Sequence, residues 1–151
     1  MAGMSRPASD ATLAADLLSV VARLNRLANQ RVRLPLPFAQ ARLLSTIEDQ
    51  GMARISDLAT LDHCSQPTMT TQVRRLEDAG LVRRHDDPED ARAVLISITP
   101  AGVATLAQVR ADRGGAVDPL LEQLDGADRQ TLISAIGILR GLLAAASEQR
   151  H

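Results

Sequence analysis

Leu13, Leu17, Val20, Leu24 and Leu27 recur at spacings of four, three, four and three. That rhythm lays one apolar stripe along a helix beginning at Asp10. Residues 1–9 read as a loose tail, and Pro35 and Pro37 break the helix. A second helix is expected from Phe38, with Phe38, Ala41, Leu44 and Ile47 facing inward and Gly51 ending it. Ile55-Ser56-Asp57-Leu58-Ala59 starts a short third helix with Ser56 as its N-cap, and Asp62-His63-Cys64 forms the turn after it. Ser65 caps a fourth helix, where Pro67 is tolerated because first-turn N–H groups have no intrahelical partner. Met69, Val73 and Leu76 face the core, Gln66, Thr68, Thr71, Gln72 and Arg75 lie on the other sides, and Gly80 closes the helix.

Leu81 to His85 then reads as a strand, and Ala93 to Ile98 as its partner, with Val94, Ile96 and Ile98 alternating onto one face. Thr99-Pro100 is a cap-plus-proline start for a fifth helix running through Val103, Leu106 and Val109. Gly114-Gly115 and Asp118-Pro119 are expected to weaken or break it. The last helix, from about Ala127 to Ala146, carries the stripe Leu132, Ile136, Leu139, Leu143 and Ala146. The first and last stripes offer more apolar surface than one small lobe can hide. Leu13, Leu17, Val20, Leu24, Leu132, Ile136, Leu139 and Leu143 are therefore candidate dimerisation residues.

Composition narrows the classes. Hydrophobic residues at 45% supply a real core, and with Phe38 the sole aromatic it must be aliphatic. The single cysteine, Cys64, excludes an intrachain disulfide and fits a reducing compartment. No apolar run looks long enough to span a bilayer, and Met1 to Asp10 lacks a signal-peptide core, so a cytoplasmic protein without a membrane partner is expected. The formal net charge is −1, and acids lie interspersed with arginines between Arg74 and Arg92. Any nucleic-acid surface must then come from local placement rather than bulk charge.

The third and fourth helices form a helix-turn-helix, whose second helix fits a DNA major groove. Its polar positions suit base edges: Gln pairs with adenine, and Thr can hydrogen-bond or touch a thymine methyl. Arg74 and Arg75 reach phosphates, which position without reading sequence. The hairpin adds a wing. Arg92, where its tip meets the returning strand, suits a narrow minor groove, and Asp90 is close enough in sequence to orient that guanidinium. The candidate DNA-binding set is Ser65, Gln66, Pro67, Thr68, Thr70, Thr71, Gln72, Arg74, Arg75, Asp90 and Arg92.

From about Asp10 to Ala146 the chain resembles the MarR family of winged-helix transcriptional regulators. The strongest signature is Asp87-Pro88-x-Asp90-x-Arg92, then Thr99-x-x-Gly102. The resemblance implies a homodimeric, usually repressing regulator on a near-palindromic operator, with half-sites about one helical turn apart. It also implies, for many members, release by a small phenolic or anionic effector or by an oxidant. Ile98 stands where members often have Leu, and Thr71 where they often have Arg, so the operator does not transfer.

The expected fold is thus mainly α with a small β-hairpin wing: a winged helix-turn-helix plus a helical dimerisation region. The tail covers 1–9, the N-terminal dimerisation helix 10–34, the DNA-binding lobe 35–99 and the C-terminal helices 100–151. Expected partners are double-stranded DNA and a second copy of the chain, with a small-molecule effector left open. Arg23, Arg26, Arg31, Arg33 and Arg42 lie in a stretch free of acids, which reads either as a solvated helix edge or as an anion site. On the second reading an aromatic acid binds near Phe38 and Arg42. Cys64 reads as a small packing residue or, at a helix N-terminus, as a redox-sensitive thiol. Asp62, His63 and Cys64 are consecutive and do not suit one metal ion. Neither a cofactor nor an enzyme activity is expected. The alternative from another class is a winged helix used for protein contacts without DNA.

Overall fold

The computed structural model describes residues 10–149, with side chains from Thr12 onward, so the expected tail lies outside the described residues. The chain divides after Gly114 into two compact units. The first holds α1 (Asp10–Gln30), α2 (Phe38–Gln50), β1 (Met52–Arg54), α3 (Ile55–Leu61), α4 (Gln66–Asp78), β2 (Val82–Asp87), β3 (Asp90–Ile98) and the start of α5 (Pro100–Leu121). The second holds the end of α5 and α6 (Gly126–Glu148).

In the first unit three antiparallel strands run in the order β1-β3-β2. Met52 pairs with Ser97 and Arg54 with Leu95 on one side of β3, while Val82 pairs with Ile98 on the other. Leu44 and Ile47 of α2, Leu58 of α3, Met69, Val73 and Leu76 of α4, and Ile96 of β3 are completely buried together. Leu106 of α5 closes this core. The aliphatic core expected from the composition is what forms.

One knot fastens the unit. The Thr99 hydroxyl donates to the Gly80 carbonyl at 2.7 Å and accepts from the Gly102 amide at 3.1 Å. The Thr99 amide donates to the Leu81 carbonyl at 3.0 Å. Gly80, at a φ of 73°, supplies the left-handed turn out of α4. A Cβ on Gly102 would sit 2.2 Å from the Leu81 carbonyl oxygen, so α5 can approach this closely only with glycine there.

Several expectations are corrected. The three-residue β1 extends the hairpin to a sheet. Because it runs straight into α3, the N-cap position falls on Arg54, without a side-chain cap, and Ser56 lies inside the first turn. Both hairpin strands are longer than expected, leaving residues 88–89 as the turn. Phe38, expected inward, is 44% exposed at the first position of α2. Helix α5 passes unbroken through Gly114-Gly115 and Pro119. The glycines weaken a helix without forbidding it, and Pro119 falls in the last turn, where its missing N–H forfeits a single bond.

In the second unit Asp125 caps α6, its Oδ1 accepting from the Asp128 amide at 2.8 Å. No residue of α6 is buried, and Leu132, Ile136 and Leu143 stand exposed, with Leu139 half-buried. On α1, Leu13, Leu17, Val20 and Leu24 are likewise exposed. Against the expectation of no sufficient apolar run, α6 is, among the described residues, long and apolar enough by length and composition to cross a bilayer.

The knot has a direct test in urea unfolding. Gly102→Ala is expected to cost about 3 kcal/mol, the upper range for overpacking against backbone. Gly115→Ala, where a Cβ meets open space, is expected to stabilise by up to about 1 kcal/mol. Equal midpoints for Gly102→Ala and wild type would contradict the close approach.

Candidate nucleic-acid interface

Helix α4 begins where Ser65 Oγ accepts from the Thr68 amide at 3.3 Å, with Pro67 in the first turn. The Ser65 hydroxyl donates to Thr68 Oγ1 at 2.9 Å. Burial of Met69, Val73 and Leu76 fixes the rotation of the helix, leaving Thr68, Thr71, Arg74 and Arg75 in solvent. Thr70 Oγ1 donates to the Gln66 carbonyl at 2.8 Å, and Thr71 Oγ1 to the Pro67 carbonyl at 3.1 Å. Both hydroxyl protons are therefore spent on the helix itself, and what these threonines present outward is a methyl group and oxygen lone pairs. Such a face accepts from exocyclic amines and packs on thymine methyls. Gln72 departs from the expected face: it is half-buried, its Oε1 shielded and without a hydrogen-bond partner among the described residues.

The wing stands beside this helix. Between them lies a cleft of about 370 Å³ lined by Arg54, Gln66, Thr70, Arg84, Asp90 and Arg92 among others. Asp90 does not hold the Arg92 guanidinium as expected; its Oδ1 accepts from the Arg92 backbone amide at 3.0 Å and shapes the turn instead. Among the described residues the guanidinium groups of Arg74, Arg75 and Arg92 carry no hydrogen bond or ion pair. The acids interleaved with these arginines are partly neutralised in place. Glu77 takes the Arg84 Nε at 2.8 Å, and Asp87 takes Arg54.

The Arg54–Asp87 pair is the interaction that sequence reading missed. Arg54 Nε donates to Asp87 Oδ2 at 2.8 Å, and Nη2 approaches the same oxygen at 2.6 Å. Oδ1 accepts from the Glu89 amide at 2.9 Å. The Glu89 amide, joined by the Arg54 guanidinium, holds the Asp87 carboxyl below its ordinary pKa although burial pushes the other way. The hydrogen bond and charge of Asp87 raise Arg54 in turn. The wing motif contains the Asp but not its partner, which lies 33 residues away.

A second site lies between α2 and α5. Phe38, Arg42, Ser45, Leu106, Arg110 and Arg113 line a pocket of about 150 Å³. Arg42, singled out as an anion ligand, is paired with Asp62 at 2.7 Å, and Arg110 with Glu48 at 2.6 Å. Arg113, which no sequence feature marked, lies over the Phe38 ring at 5.8 Å from its centroid. Its Nε is buried without a partner among the described residues, while Nη2 donates to Asn25 Oδ1 at 2.7 Å. Cys64 is half-buried against the core. Among the described residues no three His, Cys, Asp or Glu side chains gather as a metal site.

The MarR family profile matches residues 36–94. The chain is 32% identical over 136 residues to an HTH-type transcriptional regulator of Mycobacterium bovis, covering 89% of this chain and 95% of that protein. A transcriptional-regulator structure from Pseudomonas aeruginosa is 30% identical with a TM-score of 0.67, covering 91% and 98% of the two chains. A mutant of MarR from E. coli, solved complexed with operator DNA, shares the fold at 24% identity and a TM-score of 0.57, covering 84% and 92%.

The buried carboxylate gives a signed pH dependence. Asp87 has a depressed pKa when folded, so its contribution is complete above the ordinary carboxylate pKa of about 4 and is lost as pH falls through the lower folded value. Asp87→Asn is expected to lower the melting temperature at pH 7 and to shrink the stability lost in acid. An acid limb unchanged in Asp87→Asn would exclude Asp87 as its source.

Proposed function

This chain belongs to the MarR family of transcriptional regulators, and on that premise we propose that it represses by occluding a near-palindromic DNA operator as a homodimer. The observation that carries the reading is the set of unpaired guanidinium groups beside the polar face of α4. Arg74 and Arg75 anchor to phosphates, and Arg92 enters the minor groove. Ser65, Gln66, Pro67, Thr68, Thr70, Thr71 and Gln72 line or support the reading face, with Asp90 shaping the wing. That a MarR mutant from E. coli with this fold was solved complexed with operator DNA supports a duplex as the partner. A DNA partner favours a cytoplasmic location.

The homodimer reading rests on the uncovered stripes of α1 and α6. A second copy suits them better than a bilayer. Arg140 lies within α6, and a central Arg costs about 2.5–3.5 kcal/mol in a membrane. Two recognition helices then meet successive major grooves, with half-sites about 10 bp apart.

The pocket between α2 and α5 supports relief by a small anionic or phenolic effector. Phe38 offers a ring edge, and Arg113 a guanidinium charge for a carboxylate. Calorimetry is expected to register binding of salicylate-like acids at millimolar concentration, lost in Arg113→Ala. Absence of any heat in the wild type would count against an effector of this class.

Selection of bound duplexes from a random pool tests the main reading. The expected outcome is an enriched near-palindrome. On that duplex Arg92→Ala should weaken binding across sequences, and Thr71→Ala should alter base preference by about 1 kcal/mol or more at one position of each half-site. If no palindrome is enriched, the winged helix serves protein contacts instead.

A further inference from the structure

Arg54 lies on neither the reading helix nor the hairpin. It closes β1 and stands directly before Ile55, the first residue of α3. Both β1 and β2 pair with β3, so the Arg54 guanidinium crosses the middle strand to reach Asp87 at the end of β2. The Asp87 side chain is 4% exposed. A carboxylate so shielded needs its charge answered where it lies, which the Glu89 amide does at one oxygen and the Arg54 guanidinium at the other. Its two oxygens face two ways: Oδ1 holds the turn through the Glu89 amide, and Oδ2 is held by Arg54.

The register of the hairpin shifts between Asp86 and Asp87. A break in register loosens the ladder at that point, so side-chain bonds carry more of the task of setting the tip. Arg92 lies two residues into β3 from Asp90, the partner of Asp87. Arg54 and Arg92 line the same cleft against Gln66 and Thr70.

We propose that Arg54 is a positioning residue for DNA binding: through Asp87 it ties the turn of the wing to the start of α3 and so sets where Arg92 stands beside α4. The inference rests on the DNA reading above. A wing released from this tie must lose its conformational freedom on binding, which weakens the complex without removing any group that touches DNA.

Two readouts separate the tie from its consequence. Arg54→Met keeps an apolar stem but removes the donors, and Asp87→Asn removes the charge while leaving Arg54 in place. In the DNA-free protein, amide hydrogen exchange at Glu89 and Arg92 is expected to quicken about tenfold or more in both variants, with the α4 amides unchanged. On an enriched duplex, Arg54→Met and Arg92→Ala should each weaken binding about tenfold, and their combination should be no weaker than Arg92→Ala alone. Arg54→Lys should recover only part, because an ammonium lacks the two-nitrogen reach. Unchanged exchange at Glu89 and Arg92 overturns the tie whether or not DNA binds. Additive losses on DNA overturn it too, because Arg54 would then contact DNA independently. A wild type that binds no duplex refutes the DNA reading, and the exchange measurement alone then decides the tie.

Discussion

Thr99 ties the exit of α4, the start of β2, the end of β3 and the start of α5 at one point. Its hydroxyl both donates to Gly80 and accepts from Gly102, and its amide reaches Leu81. The close approach leaves no room for a side chain at position 102. Everything proposed for function inherits this constraint. The reading helix cannot turn about its axis without disturbing Met69, Val73 and Leu76, and its end cannot move without dragging α5. Packed interiors yield in discrete steps rather than smoothly, so a disturbance at α5 would be felt at α4. The pocket between α2 and α5 is well placed to exploit that coupling.

Electrostatics adds a second layer. A chain of net charge −1 does not attract DNA by bulk field. Pairing sorts its arginines instead. Arg54 and Arg84 answer Asp87 and Glu77, and Arg42 and Arg110 answer Asp62 and Glu48. The guanidinium groups of Arg74, Arg75 and Arg92, on α4 and the wing, have no such partner among the described residues. The arginines proposed to face DNA thus look like the paired ones by composition and differ from them in having no acid within reach among the described residues.

The parts legible in the sequence are those whose causes are local. Ser65 and Pro67 announce a helix start, Met69, Val73 and Leu76 its buried face, and Thr99-Pro100 the next helix, because capping and periodicity act within a few residues. Strand β1 was not legible: three residues carry no alternation, and it exists only because β3 offers an edge. Arg54 escaped for the same reason, since its partner is remote in sequence and close only across the sheet. Phe38 misled because apolar spacing says which residues share a face, and its position at the first turn of α2 leaves it uncovered. The continuity of α5 through two glycines and a proline shows weak local preferences yielding to the rest of the helix. Asp90 is two residues from Arg92 but serves its backbone amide rather than its guanidinium, a distinction only geometry makes.

We propose that a nearly neutral chain binds duplex DNA through a few locally placed guanidinium groups in each of two subunits. Equilibrium affinity for an enriched duplex, measured across salt concentrations, tests this most directly. With Arg74, Arg75 and Arg92 of both subunits on phosphates or in the minor groove, the logarithm of affinity should fall with the logarithm of salt at a slope of about −5. A slope near zero, or no binding even at low salt, would contradict the account.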